Sequence, residues 1–325
     1  MANDARGPGA RDARGLGAAG ARGRPAAARG LLERLAAGEV LVGDGAIGSL
    51  LIDEGLSPGE CPEAWNLTRP DLLETIAASY RDAGADFIET NTFGGSPLKL
   101  AAYGLEGKTE EINRRAVELA RRGAGGRALV VASCGPSGRI LEPYGDTDPG
   151  EVLESFARQM RALAAAGVDA VCIETMTDLG EAVLAVRAAK SAAPSIPVMA
   201  TMTFDRTSRG FFTIMGNTLA ASAAALADAG ADVVGSNCGN GIENMIDIAR
   251  EMRAASRLRI LIQSNAGLPE IRGDRAVYPE TPSFMAEKAR ELLAIGVSIV
   301  GGCCGTTPEH IAALRAVVDR SAARN

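Results

Sequence analysis

The sequence predicts an α/β protein of the (β/α)₈ TIM barrel class, a single domain behind a disordered N-terminal tail. Three observations lead there. From residue 40 onward, short runs rich in Val, Ile and Ala alternate with longer Ala/Leu/Glu/Arg stretches of helical periodicity. The short runs are apolar at consecutive positions, as expected for parallel strands covered on both faces. The alternation yields eight strand-helix units, the number that closes a barrel.

The strands are expected at Val40–Asp44, Asp86–Asn91, Ala128–Ser133, Asp169–Glu174, Pro197–Thr203, Ala231–Asn237, Arg259–Asn265 and Val297–Gly302. Helical stretches fall between and after them, at about 71–83, 109–122, 150–166, 178–192, 218–229, 242–256, 282–295 and 308–320. An internal echo supports the count. Ala83-Gly84-Ala85-Asp86, Ala166-Gly167-Val168-Asp169, Ala229-Gly230-Ala231-Asp232 and Ile295-Gly296-Val297-Ser298 each precede an apolar run. Each reads as a helix stopped at glycine, a tight turn and a strand, at every second unit. An open doubly wound sheet is the competing architecture. Gly43-Asp44-Gly45-Ala46-Ile47-Gly48 superficially resembles its phosphate loop, but a bare glycine pattern is weak evidence.

Residues 1–30 differ in kind. They are almost all Ala, Gly, Arg and Pro, with six arginines and two aspartates. Such a segment buries too little to offset its chain entropy, so it reads as a disordered tail before a barrel at 31–325. The 325 residues are 46% hydrophobic and 23% charged, ordinary for a soluble globular chain. A net charge of −6 argues against nucleic acid and anionic membrane surfaces as partners. No apolar stretch reaches bilayer-spanning length, and no secretory signal is visible. The expected location is cytoplasmic and reducing, where cysteines serve as metal ligands, nucleophiles or core filler more often than as disulfides.

Of six cysteines, three stand out. Cys238 ends the sixth strand, and Cys303 and Cys304 end the eighth. In a parallel barrel all C-terminal strand ends share one face, where barrel enzymes keep their active sites. The three sulfurs can then close on one Zn²⁺ and leave its fourth position open, the mark of a catalytic zinc. The plainer readings are three unrelated buried thiols, or a Cys303–Cys304 disulfide. Cys61, Cys134 and Cys172 receive no metal role. Asp44 ends the first strand before a glycine turn. It could hold a substrate ammonium while the bare N–H groups of Gly45 and Ala46 hold a carboxylate; a turn-capping aspartate is the alternative. Glu174 ends the fourth strand, where an unpaired buried acid is costly, so either a substrate ammonium or a neighbouring Arg or backbone N–H is expected beside it. Glu89 ends the second strand in the same manner. Asn265 ends the seventh, placed to reach the metal or its ligand. His310, the only histidine, follows Thr307-Pro308-Glu309 and is expected on a helix surface. With that histidine on a helix surface there is no Ser/His/Asp triad, and one histidine makes no histidine-rich metal site.

At these residues the sequence resembles the homocysteine S-methyltransferase family over roughly residues 33–320. The matching motifs are Asp44-Gly45-Ala46, Thr90-Asn91-Thr92-Phe93, Glu174-Thr175, Met202-Thr203-Phe204, Asn237-Cys238, Asn265-Ala266-Gly267 and Gly301-Gly302-Cys303-Cys304-Gly305-Thr306-Thr307-Pro308-Glu309-His310. The resemblance implies a (β/α)₈ barrel with zinc on Cys238, Cys303 and Cys304. It implies Asp44 and Glu174 as contacts to the homocysteine amino group, and Asn265 beside the metal. Within the family the chain looks most like the homocysteine-binding module of cobalamin-dependent methionine synthase. Thr175 stands where betaine enzymes carry an aromatic residue, and a quaternary ammonium wants an aromatic cage. The implied activity is methyl transfer to homocysteine to give methionine. The donor would be a corrinoid or other methyl-carrying protein, with cobalamin on that separate protein. S-methylmethionine, S-adenosylmethionine or a betaine are the alternative donors. A zinc- or redox-sensing barrel is the non-enzymatic alternative.

Overall fold

The computed structural model describes residues 29–323 apart from Asp274. Nearly all of the tail, residues 1–28, lies outside the described residues. Its last two positions do not: Gly30 N-caps the first helix, and Arg29 pairs with Glu39.

Eight strands form one sheet: β1 (Leu41–Val42), β2 (Phe87–Glu89), β3 (Leu129–Cys134), β4 (Ala170–Met176), β5 (Val198–Met202), β6 (Val233–Asn237), β7 (Arg259–Ser264) and β8 (Ile299–Gly302). From β2 to β8 each strand pairs in parallel with the next, and β8 returns to β1. The last seam, between β1 and β2, is joined by Asp86. Its N–H donates to the Val42 carbonyl at 2.7 Å, and its carboxylate accepts from the Val42 N–H at 2.8 Å. The sheet is therefore a barrel, and the open-sheet alternative is discarded.

The interior is legible from strand periodicity. Leu41, Phe87, Leu129, Val131, Ala170, Cys172, Met199, Val233, Leu261 and Ile299 form one buried cluster. It fills the lower barrel with branched and aromatic side chains, each worth roughly 1.5–3 kcal/mol on burial. Leu31 and Leu35 of α1 (Leu31–Ala36) belong to the same cluster and plug the barrel from its N-terminal end. One step higher the inward positions become Glu89, Ser133, Glu174, Thr201 and Gln263. The apolar core ends at this polar layer, which floors the C-terminal mouth.

Eight helices surround the sheet: α2 (Pro70–Asp82), α3 (Thr109–Ala124), α4 (Pro149–Ala166), α5 (Leu179–Ala192), α6 (Leu219–Ala229), α7 (Ile242–Ala255), α8 (Pro282–Ile295) and α9 (Pro308–Ala322). Their starts follow capping chemistry. Asp148 accepts from the N–H groups of Gly150 and Glu151, and Asp178 does the same for Gly180 and Glu181. The echo's glycines, Gly84, Gly167, Gly230 and Gly296, sit at φ 98°, 85°, 108° and 89°, a region open to glycine at no steric cost. The echo's aspartates have a role that periodicity did not show. Asp86, Asp169 and Asp232 each accept the first free N–H of a neighbouring strand, from Val42, Val130 and Val198. Each is also paired with a cation: Arg34 and Arg315, Arg121, and Lys190 respectively.

The structure adds elements to the expected set. Two antiparallel hairpins, Asp205–Thr207 with Gly210–Phe212 and Glu270–Arg272 with Arg275–Val277, follow β5 and β7. Short helices at Ile47–Asp53, Trp65–Thr68 and Pro97–Ala101 occupy the loops after β1 and β2. No helix among the described residues is long and apolar enough to cross a membrane.

Candidate metal centre and substrate site

The loop after β6 and the loop after β8 meet at the mouth. The N–H of Cys238 donates to Gln263 O at 3.2 Å and that of Cys303 to Ser264 O at 2.8 Å, so both cysteine loops are laced to β7 between them. The N–H of Ala266 donates to Cys304 O at 3.0 Å. Cys238 holds φ 59°, a left-handed conformation that costs a residue with a Cβ about 1–3 kcal/mol. The Sγ atoms of Cys238, Cys303 and Cys304 all lie within 4.8 Å of one another, with Cys238 to Cys304 at 3.8 Å. All six cysteines are free thiols.

The donor set fits zinc. A tetrahedral ion with Zn–S bonds of about 2.3 Å holds its sulfurs about 3.8 Å apart. The electrostatics point the same way. Hydrogen bonds from Cys303 and then Cys304 pull the Cys238 thiol down to about 3. Cys303 rises well above the ordinary value, and Cys304 rises to about 11, chiefly through that same contact with Cys238. Without a cation the contacts thus favour the thiolate at Cys238 and disfavour it at its two neighbours; a bound dication favours the thiolate at all three. The remaining polar groups face the sulfurs. The Asn265 amide hydrogen-bonds Cys238, Tyr278 hydrogen-bonds Cys304, and Asn237 Nδ2 lies 3.9 Å from Cys303 Sγ. Tyr278 reaches Cys304 because Gly305 has no Cβ; one there would run into the ring.

Beside the sulfurs lie the acids. Glu174 accepts from Ser133 Oγ and from Asn237 Nδ2, the latter at 3.1 Å. Burial, partly offset by Ser133, raises it to about 7, and the charge on Cys238 adds to the rise. Asn237 ties this corner together: its Oδ1 accepts from Thr201 Oγ1 at 2.7 Å and from the Thr175 N–H at 2.8 Å. Asp44 is fully buried. Its Oδ2 accepts from the Glu89 N–H at 2.9 Å, while Oδ1 has no partner. Burial raises it to about 8, with the Glu89 N–H opposing and Glu174 reinforcing. Gln263 Oε1 and Asn265 Oδ1 are likewise buried without a partner. Orphaned buried acceptors are rare in folded chains and suit a site awaiting a ligand rich in N–H donors.

Several sequence expectations change in detail. The Ala46 N–H already donates to Thr306 Oγ1 at 3.2 Å. His310 is buried rather than on the helix surface. It is the third residue of α9 and turns back to close a capping box, its Nδ1 accepting from the Thr307 N–H at 3.1 Å. Its Nε2 then meets Glu280 O at 2.9 Å, fixing the loop that carries Tyr278. Trp65 is buried under the Arg69 guanidinium, 4.7 Å from the ring centroid. Asn237, Gln263 and Tyr278 were given no role from the sequence. Gln263 was detectable as a polar residue inside an apolar run; Tyr278 lies in a loop that carries no signal.

A family model for homocysteine S-methyltransferase matches residues 41–318. The chain belongs to the homocysteine S-methyltransferase family. It is 37% identical over 307 residues to methionine synthase of Mycobacterium leprae (strain TN), an alignment covering 89% of this chain and 25% of the relative. It is 34% identical over 296 residues to methionine synthase of Mycobacterium tuberculosis (strain ATCC 25618 / H37Rv), covering 86% and 24%. The chain therefore spans about a quarter of the length of these curated relatives. Among solved structures, the metallated form of the homocysteine methyltransferase MmuM from Escherichia coli superposes with TM-score 0.70 at 25% identity, over 86% of this chain and 96% of that one.

Proposed function

We propose that this chain transfers a methyl group to the thiol of homocysteine, giving methionine, with zinc held by Cys238, Cys303 and Cys304. The observation that carries this reading is the convergence of the three thiols beside acids that lack a cation. When bound, zinc supplies a Lewis acid that keeps a fourth sulfur as thiolate at neutral pH. Asp44 and Glu174 receive the substrate ammonium, each offering a carboxylate oxygen in a water-poor layer. The Gly45–Ala46 turn receives the substrate carboxylate, with the Ala46 N–H exchanging Thr306 for it. Asn265 holds Cys238 by hydrogen bonding and orients the sulfur cluster. The homocysteine sulfur then attacks the donor methyl carbon: a C–S bond forms, and the donor leaves with the electrons of its bond to that carbon. Zinc held there would lower the thiol's pKa enough for its proton to pass to solvent, so no histidine base would be needed at the mouth.

A corrinoid or other methyl-carrying protein is the donor this reading favours. Thr175, not an aromatic residue, follows Glu174, and its backbone is committed to Asn237. Trp65 is committed to Arg69. Neither offers a cage for a quaternary ammonium. The test is to supply homocysteine with methylcobalamin, S-methylmethionine or betaine in turn and to measure methionine and bound metal. Methionine from methylcobalamin with about one zinc per chain is expected. A Cys303–Cys304 disulfide and indifference to homocysteine would sink the proposal in favour of a redox sensor.

A further inference from the structure

Three carboxyl groups, not two, meet at the top of the barrel. Glu89 points inward from the end of β2 and is buried with Asp44 and Glu174. Its Oε1 accepts from Gln263 Nε2 at 3.2 Å, across the barrel from β7, and its backbone N–H holds Asp44. Among the described residues no ion pair reaches these three acids, and the only basic residue in the eight strands is Arg259, exposed at the start of β7. A single substrate ammonium cannot compensate three buried anions, so at least one acid keeps a proton.

Donor placement selects which. Glu174 is held by a hydroxyl and an amide, and Asp44 by a backbone N–H at 2.9 Å; these donors offset part of the burial that opposes their charge. Glu89 has only the longer amide contact and the weakly donating thiol of Cys172. Its other neighbours raise the cost of charge. Asp44 faces it from the loop after β1 and Glu174 from β4, and Tyr80 of α2 lines the small cavity behind Asp44 and Glu89. β3 presents only Val131 and Ser133.

We propose that Glu89 is a positioning residue that stays protonated. With Gln263 it floors the homocysteine pocket and leaves Asp44 and Glu174 as the two anions for the ammonium. The proposal rests on the homocysteine reading above for the identity of the ammonium. Burial, with Glu174 and Asp44 reinforcing, pushes Glu89 well above the ordinary carboxyl range, in agreement with this assignment.

The experiment uses the full zinc-loaded chain as wild type, Glu89→Gln and Glu89→Ala. Infrared difference spectra at neutral pH without substrate, wild type minus Glu89→Gln, should contain a protonated-carboxyl carbonyl band beyond what Asp44 contributes to both. Calorimetry should find homocysteine affinity in Glu89→Gln within about threefold of wild type. It should be about tenfold or more weaker in Glu89→Ala, where the Gln263 amide loses its buried partner. Zinc content should be the same in all three. A carboxylate band lost in Glu89→Gln, or a Gln variant as weak as Ala, overturns the proposal. Wild type that binds no homocysteine overturns the functional reading instead, and the infrared band still decides the state of Glu89.

Discussion

Cys238 is held in a left-handed backbone conformation, and Thr175 beside it in space shares that feature at φ 58°. Strain of this kind persists only where neighbours over-determine it, and both residues are tied to Asn237 or β7. Replacing one sulfur should therefore spare the fold and empty the site. Cys303→Ser is expected to lose nearly all bound zinc and methyl transfer while melting close to wild type; retained zinc by elemental analysis would reject the ligand role. Glu174→Ala should weaken homocysteine binding about tenfold or more, the worth of a charge-assisted hydrogen bond, with zinc content unchanged. The acids also set a pH dependence. Asp44 and Glu174 titrate near 8 and near 7, above their ordinary 3.8 and 4.5. Across that interval each of these two acids holds more proton in the folded chain than in the unfolded one. Their contribution to stability is thus complete below about pH 4 and is lost as the pH rises toward about 8. The melting temperature of substrate-free protein should fall between about pH 4.5 and about 8, and the fall should be shallower in Glu174→Gln.

At the scale of elements, the repeated Gly-x-Asp turn joins each helix to its strand and each strand to its neighbour. The three aspartates make the same backbone contact in different settings. Asp86 is nearly buried between Arg34 and Arg315, whereas Asp169 and Asp232 are part-exposed beside one cation each. Asp86→Ala opens the β1–β2 seam and takes a buried carboxylate from Arg34 and Arg315, which keep only Glu39 and Asp319, so a loss of about 3 kcal/mol is expected. Asp232→Ala should lose only about 1 kcal/mol, the net worth of one hydrogen bond. Urea midpoints of the two variants measure the difference; equal losses would remove the special role of the seam. The alternation of apolar runs and helical stretches located all eight strands, each within a few residues. It could not locate the two hairpins or the short helices after β1 and β2, because those segments are set by contacts with the mouth and carry no periodicity of their own.

The whole molecule separates stability from chemistry along the barrel axis. Leu31 and Leu35 close the N-terminal end, branched residues fill the middle, and the polar layer begins at Glu89 and Gln263. Leu35→Ala should destabilise the fold by about 2–5 kcal/mol through the cavity it leaves, with zinc content and homocysteine affinity unchanged. Calorimetric melting together with metal analysis checks both halves of that statement.

Local order decided the strand-helix rhythm, the glycine stops and the places where cysteines and acids end strands, because backbone propensity and side-chain period act within a few residues. The motif residues Cys238, Cys303 and Cys304 could thus be assigned to one rim before any coordinates existed. Their approach to within 4.8 Å came only from the order of strands in the sheet, which sets β6 and β8 on either side of β7 and ties both cysteine loops to it. The same holds for Gln263 reaching Glu89 across 174 positions of chain, for Tyr278 reaching Cys304, and for His310 turning inward. Each depends on which surfaces the closed barrel presses together, and no short-range pattern in the sequence encodes that.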